Sequence, residues 1–301
     1  MKKILVIVSF FLIYSNGFSQ QTVGSPEEIA RFLRTKTTIV LESNPLLEYN
    51  YKMKETIEKH WNVTEYEYFT YKKAEFDKIR FDTTKSFLML NTVFYSNDKT
   101  RAQYNFLCLT LGGDYEFTIQ MPDLGQAPIS YLDVDEEEYI YKLGIFIRFI
   151  QNHVKLTKDN PNFNSHNIIR HYNKSMHSIK NKTLYVVQDE LGSKVNTLKK
   201  IKKVYPYDVK IATREEVKQA IDDYDENVVI LHKVGPGPDN RKARCWKTIM
   251  GASDAKLYYF NFHMINDKSP DGFLLKDFKK LAQKELKEEK KLEKEQEKNE
   301  N

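Results

Sequence analysis

KTLYVVQDE, at residues 182–190, begins a series of strand-like and helix-like segments that continues to residue 265. After it come a basic helix, YDVKIA (207–212), TREEVKQAIDDYDE (213–226), NVVILHKV (227–234), ARCWKTIM (243–250) and KLYYFNFHMI (256–265). The β-branched and aromatic runs predict strands. In TREEVKQAIDDYDE a capping box precedes apolar residues at helical spacing, which predicts a helix. The order is therefore strand, helix, strand, helix and three further strands.

The same order of segments occurs earlier in the chain. There it reads KTTIVLESN (36–44), a helix ending at Trp61, VTEYEYFTY (63–71), KKAEFDKIRFD (72–82), KSFLMLNTV (85–93), YNFLCLTL (104–111) and DYEFTIQM (114–121). Alignment of the two copies matches Glu75 with Glu216, Phe87 with Val228 and Cys108 with Cys245. Loops tolerate deletions, so an alignment that shifts at loops is consistent with a duplication. The alternative is a coincidental alternation of similar elements in one large α/β sheet.

The fold class that follows is α/β, with two tandem, structurally related domains. Strand–helix–strand connections favour parallel pairing, and the last three strands of each copy are joined by loops that favour antiparallel pairing. Each domain is expected to be a mixed sheet of about five strands flanked by helices. The helix predicted at residues 133–154 is followed by KDNPN (158–162), which breaks it. We therefore expect domains at residues 21–157 and 158–275.

Residues 1–20 have the pattern of a secretory signal peptide. Lys2 and Lys3 precede an apolar run that is shorter than a membrane span, and the small residues Gly17 and Ser19 follow it. The alternative is a retained N-terminal anchor. No later stretch is long and apolar enough to span a membrane, so the mature chain is expected to lack a transmembrane span. The predicted localisation is periplasmic or secreted.

Composition narrows the class of partner. The formal charge of +5 at pH 7 is a weak excess spread along a lysine-rich chain of 301 residues, and it does not indicate nucleic-acid binding. Residues 276–301 form a lysine–glutamate tract, which predicts a charged helix that frays into a solvated tail. A coiled-coil or partner-binding role for this tract is the alternative. The sequence does not indicate an oligomeric state.

The two cysteines, Cys108 and Cys245, lie in apolar strands, one in each copy. An oxidising compartment would permit a disulfide between them. The alternative is that both are small buried apolar residues. The sequence contains no C-x-x-C motif, so thioredoxin-like redox chemistry is not indicated.

No metal or cofactor is predicted. His166, His171 and His177 are close in sequence, but their spacing does not put two rings on one helical face, as a metal pair requires. The glycine loop at residues 235–239 is followed by a strand rather than a helix, and its prolines lack amide donors, so a plain turn is favoured over a phosphate cradle. Nucleophile-elbow, dinucleotide-binding and zinc-protease motifs are all missing from the sequence.

Fold-level reasoning gives one candidate site in each domain. Parallel sheets bind ligands beyond the carboxyl ends of their strands. In the first domain this crevice would be lined by Glu42, Ser43, Asn44, Asn91 and Thr92. In the second domain the matching positions are Gln188, Asp189, Glu190, His232 and Lys233. The second set, with a histidine beside two carboxylates, suits acid–base work better, and Asp189, Glu190, His232 and Lys233 are the candidate ligand-binding residues. Ordinary capping and solvent-facing loop ends are the alternative explanation.

Three hypotheses about function follow. The first is a non-catalytic, exported binding or assembly module with a protein partner in the cell envelope, supported by the duplication, the missing catalytic motifs and the abundant tyrosine. The second is a hydrolase or small-ligand receptor that uses the crevice of the second domain. The third, metal binding by the histidine segment, has the least support.

Overall fold

The computed structural model of the chain describes residues 23–95, 100–132, 134–165, 167–237 and 242–283. The predicted signal peptide and most of the predicted charged tail therefore lie outside the described residues, as do Asp133, His166 and Asp239. In the described ranges, no helix is both long and apolar enough to cross a membrane.

The described residues form eight α-helices and ten strands. The helices are α1 Pro26–Phe32, α2 Glu48–His60, α3 Lys73–Ile79, α4 Leu143–Asp159, α5 Asn167–Lys174, α6 Leu198–Lys202, α7 Arg214–Asp222 and α8 Leu275–Ala282. The strands are β1 Lys36–Leu41, β2 Tyr66–Thr70, β3 Lys85–Phe94, β4 Gln103–Leu111, β5 Asp123–Tyr131, β6 Thr183–Val186, β7 Val209–Ile211, β8 Val228–Val234, β9 Arg244–Gly251 and β10 Leu257–Met264.

The strands form two five-stranded mixed sheets with the same topology. The first has the order β2-β1-β3-β4-β5 and the second has the order β7-β6-β8-β9-β10. In each sheet the first three strands of this order run parallel to one another. The fourth strand pairs antiparallel with the third, and the fifth pairs antiparallel with the fourth. This confirms the predicted fold class of two tandem α/β domains with flanking helices.

The strand register corrects one part of the predicted alignment. Met89 pairs with Cys108 in the first sheet, and Ile230 pairs with Met250 in the second. The predicted match of Phe87 with Val228 implies a match of Met89 with Ile230, and their partners then match Cys108 with Met250. The predicted match of Cys108 with Cys245 is therefore inconsistent with the predicted match of Phe87 with Val228. Met250 and Cys245 differ by five positions. Because side chains alternate along a strand and five is odd, these two side chains point to opposite faces of their strand.

The last strand of the first sheet was also predicted wrongly. DYEFTIQM does not form a strand; it contains a short 3-10 helix, Thr118–Gln120, and β5 follows it. Gly125 and Pro128 interrupt the strand pattern of β5 in the sequence. Proline is tolerated there because β5 is an edge strand of its sheet, where one row of backbone groups needs no partner strand.

Helix α4 packs between the two halves. It begins at Leu143, after two 3-10 turns at Glu136–Glu138 and Ile140–Lys142, and not at residue 133 as predicted. One core cluster surrounds its buried Phe146 and Ile150 and contains Leu107 from the first sheet and Ile221 from α7. The halves therefore share a hydrophobic core, and the connection from α4 to α5 contains the predicted domain boundary.

Candidate functional site

A cavity of about 760 Å³ lies between the two halves, at the carboxyl end of β8. Its walls come from the end of β5, the segment before α4, the turn after β6, the start of α7 and the loop after β8. All four candidate residues, Asp189, Glu190, His232 and Lys233, line it. The structure therefore brings together the four side chains that were predicted to lie at the carboxyl ends of parallel strands in the second domain.

Glu190 is placed by a 3-10 turn, Gln188–Glu190, that follows β6. Its Oε1 accepts a 2.7 Å hydrogen bond from Lys142 Nζ and a 2.8 Å bond from the Lys233 backbone N–H. Lys142 Nζ also donates to the Leu231 carbonyl at 2.9 Å. Lys142 is fully buried: burial alone would lower its pKa, but the adjacent Glu190 carboxylate raises the pKa above the ordinary lysine value. The pair is a buried ion pair with each charge compensated.

His232 lies beside this pair and is only 2% exposed. Its Nε2 donates to the Pro128 carbonyl at 3.1 Å, which leaves Nδ1 as the nitrogen with the lone pair. Among the described residues Nδ1 has no hydrogen-bond partner, and its 4.0 Å distance from Glu190 Oε1 is too long for a hydrogen bond. Burial, reinforced by the Lys142 ammonium, lowers the pKa of His232 well below its usual value, so the ring is neutral.

A second ion pair lies at the start of the loop after β8. Lys233 Nζ lies 2.8 Å from Asp271 Oδ2, which also accepts from the Gly237 N–H at 2.9 Å. Burial alone would lower the pKa of Lys233, but Asp271 raises it. A Cβ at Gly235 would lie 2.2 Å from Asp271 Oδ1, so glycine is required there. Gly235 and Gly237 therefore lie against a carboxylate, and this described part of the loop agrees with a turn rather than with a phosphate cradle.

The mouth of the cavity is formed around Arg214, the first residue of α7. Its guanidinium lies 3.0 Å from Glu138, 3.5 Å from Asp189 and 3.6 Å from Glu137. Three tyrosines also line the cavity: Tyr131, Tyr139 and Tyr141.

Sequence reasoning missed Lys142, Arg214, Asp271 and these tyrosines. A signal was present only for Lys142, which is a lone lysine in an otherwise apolar run from Ile140 to Ile147. Such a residue is expected either to pair with a buried carboxylate or to reach solvent. Its partner Glu190 lies in the other half of the chain, where no local pattern indicates it.

The matching crevice of the first domain is closed by one side chain. Asn50 Oδ1 accepts from the Glu42 N–H at 2.7 Å, and Asn50 Nδ2 donates to the carbonyls of Glu42 and Asn44 at 3.0 and 2.9 Å. Asn50 comes from the first turns of α2, whereas α6, which follows the corresponding strand β6, begins only at Leu198. The shorter helix leaves the second crevice open.

The remaining candidate residues do not form a second site. Cys108 and Cys245 are both unbridged and buried, and burial raises the pKa of each thiol. His171 packs against Phe163, with ring centroids 4.8 Å apart. No group of three His, Cys, Asp or Glu side chains in the described ranges has the geometry to hold a metal ion.

No known protein family, curated protein or solved structure matches this chain.

Proposed function

We propose that this protein is a receptor for a small polar molecule, which it binds in the cavity between its halves. The observation that carries the proposal is the buried, unpartnered Nδ1 of His232 beside the Glu190 carboxylate, in a cavity of about 760 Å³. Cavities of this size with a few converging polar groups are typical of small-molecule sites. The export signal predicted at residues 1–20 supports a periplasmic or secreted receptor.

The site supports binding better than hydrolysis. A histidine that activates a nucleophile has one ring nitrogen within hydrogen-bonding distance of a hydroxyl or thiol. His232 instead donates through Nε2 to a backbone carbonyl, and its Nδ1 contacts no hydroxyl or thiol of the described residues. The Glu190 carboxylate is held by Lys142 and by the Lys233 N–H, so it is a fixed acceptor.

A protein-binding surface of the cell envelope is supported less well. Among the described residues, the most exposed large apolar side chains are Leu46 at 90%, Ile119 at 73% and Tyr51 at 69%. Leu46 follows the carboxyl end of β1. Ile119 follows the carboxyl end of β4, which runs antiparallel to β1 and β3, so the two residues lie beyond opposite ends of the strands. Leu46 and Ile119 therefore do not belong to one continuous apolar surface, which a protein interface would require.

A thermal-shift screen tests the proposal. Amino acids, amines, monosaccharides, nucleosides and dicarboxylates are added one at a time to the purified full chain. A compound present at a hundredfold excess over its Kd stabilises the native state by about 2.7 kcal/mol. We expect at least one class of compound to raise the Tm of the wild-type chain.

The control separates the cavity from other surfaces. Ser193 is exposed and lines the cavity, so Ser193→Trp obstructs it without touching the core. Ser178 is equally exposed and does not line it, so Ser178→Trp is the matched variant. The shift should disappear in Ser193→Trp and persist in Ser178→Trp. Equal shifts in both variants, or none in the wild type, would refute the proposal.

A further inference from the structure

The mouth of the cavity has more carboxylates than basic groups. Asp135, Glu138 and Asp189 all line it, and Arg214 is shared between Glu138, Asp189 and Glu137. One guanidinium carries one positive charge and cannot neutralise this set. A molecule entering the cavity therefore meets a negative potential, which attracts cations and repels anions.

Buried acceptor atoms also lie at the inner end of the cavity. His232 Nδ1 offers a lone pair with no partner in the described part of the chain. Glu190 Oε2 has one long contact, 3.4 Å from the Val187 N–H. The two ammonium groups near this end belong to Lys142 and Lys233, and each is already held by a carboxylate, at 2.7 and 2.8 Å. The positive charges at the inner end are thus already paired, and the acceptors there suit a molecule with N–H groups.

Aromatic side chains also form part of the wall of the cavity. Tyr131, Tyr139 and Tyr141 line the cavity, and the faces of such rings attract cations within about 6 Å. The protein already uses one of them in this way, because Lys142 Nζ lies 5.0 Å from the centre of the Tyr141 ring.

We infer that the cavity binds an organic cation that carries one or more protonated amino groups. This inference rests on the proposed function and names the class of molecule. One amino group donates to His232 Nδ1 and Glu190 at the inner end, and the positive charge is balanced by the carboxylates at the mouth. Three features of the cavity favour such a cation: the negative charge of the mouth, the acceptors at the inner end and the tyrosines in the wall.

Three probes with the same five-carbon chain test the inference by isothermal titration calorimetry on the full chain. 1,5-Diaminopentane has a positive charge at each end, glutarate has a negative charge at each end, and 1,5-pentanediol has none. We expect 1,5-diaminopentane to bind at least tenfold more tightly than either of the other two probes.

Two variants identify the contacts. Asp189→Asn removes a charge at the mouth and should weaken 1,5-diaminopentane binding about 2- to 5-fold, as expected for an exposed charge. His232→Gln retains a donor for the Pro128 carbonyl but lacks the Nδ1 acceptor, and should weaken binding about tenfold. Asp114→Asn removes the same charge from an exposed aspartate that does not line the cavity and should leave binding unchanged.

The outcomes separate this inference from the proposed function. If glutarate or 1,5-pentanediol binds as tightly as 1,5-diaminopentane, and Ser193→Trp abolishes that binding, the inference is wrong while the cavity remains a binding site. If 1,5-diaminopentane binds equally to the wild type, Asp189→Asn and His232→Gln, it binds elsewhere and the inference is wrong. If no probe binds, the inference is wrong, and the thermal-shift screen alone decides the proposed function.

Discussion

The Lys142 ammonium lies 2.7 Å from the Glu190 carboxylate and joins the two halves of the chain at the inner end of the cavity. Lys142 directly precedes α4, and Glu190 follows β6 in the second half. Both side chains are buried, and the same carboxylate lies beside His232. This pair therefore fixes the relative position of the halves and supplies the fixed acceptor of the binding cavity.

Removal of Glu190 should be strongly destabilising. Glu190→Leu leaves the fully buried Lys142 without a counter-charge, and the free energy of unfolding should fall by about 3–5 kcal/mol. The double substitution Lys142→Met, Glu190→Leu should recover most of that loss because neither charge remains. Urea unfolding followed by circular dichroism measures both effects. The control is Lys59→Met, which breaks the exposed 3.1 Å pair with Asp222 and should cost about 0–1 kcal/mol. Equal losses in Glu190→Leu and Lys59→Met would contradict the prediction.

Gly235→Ala should disturb the second ion pair of the cavity. The added Cβ would lie 2.2 Å from Asp271 Oδ1 and would displace the carboxylate that holds Lys233 and the Gly237 N–H. We expect a loss of about 1–3 kcal/mol in the free energy of unfolding, as for other overpacked sites. In an Asp271→Ala background the clash is gone and the same substitution should cost less. Identical costs in the two backgrounds, measured by a double-mutant cycle, would rule out the proposed clash.

His60 should make the protein less stable in mild acid. Burial, followed by the nearby Arg148 guanidinium, lowers the pKa of His60 to about 4. In the unfolded chain an ordinary histidine has a pKa of about 6.5 and takes up a proton below that pH. The contribution of His60 is therefore complete above pH 6.5 and is lost as the pH falls towards 4, at up to about 1.4 kcal/mol per pH unit.

The matched variant is His60→Asn, which retains a polar group near the Tyr224 hydroxyl, 2.8 Å from His60 Nδ1. Thermal unfolding between pH 4 and pH 7 should show a smaller pH dependence for His60→Asn than for the wild type. Parallel curves for the two proteins would show that His60 does not contribute.

Cys108 and Cys245 should behave as two buried free thiols. Iodoacetamide should label neither in the native protein, because burial raises the pKa of both and blocks access. In urea without a reductant it should label both, which mass spectrometry detects as two added groups. If labelling in urea requires a reductant, the two cysteines form the disulfide that an oxidising compartment permits, and the unbridged arrangement is wrong.

The sequence contains enough information for the topology and for the location of the second crevice. Strand periodicity and loop length specify parallel and antiparallel pairing, and Asp189 and His232 can be placed together because both follow buried runs of neighbouring parallel strands. β5 could not be predicted because Gly125 and Pro128 interrupt the sequence pattern of a strand. The strand forms nevertheless, because an edge strand tolerates these residues. The match of Cys108 with Cys245 could not be tested from the sequence, because β9 is apolar along most of its length and can be aligned with β4 in more than one register. Only the hydrogen-bonded pairing of β9 with β8 fixes that register.

The contents of each crevice depend on contacts between distant segments. Asn50 closes the first crevice through three hydrogen bonds to backbone groups, and nothing in its local sequence distinguishes it from an exposed helical asparagine. Lys142 and Glu190 meet only because α4 packs between the halves. Such long-range pairs follow from the assembled fold and not from the spacing of residues.

The most direct test of the binding cavity is a crystal structure of the full chain grown with the compound that gives the largest thermal shift. We expect electron density for that compound between the two halves, with a polar atom about 3 Å from His232 Nδ1. Density on another surface, or a cavity filled by the protein's own side chains while the compound is bound elsewhere, would contradict this expectation.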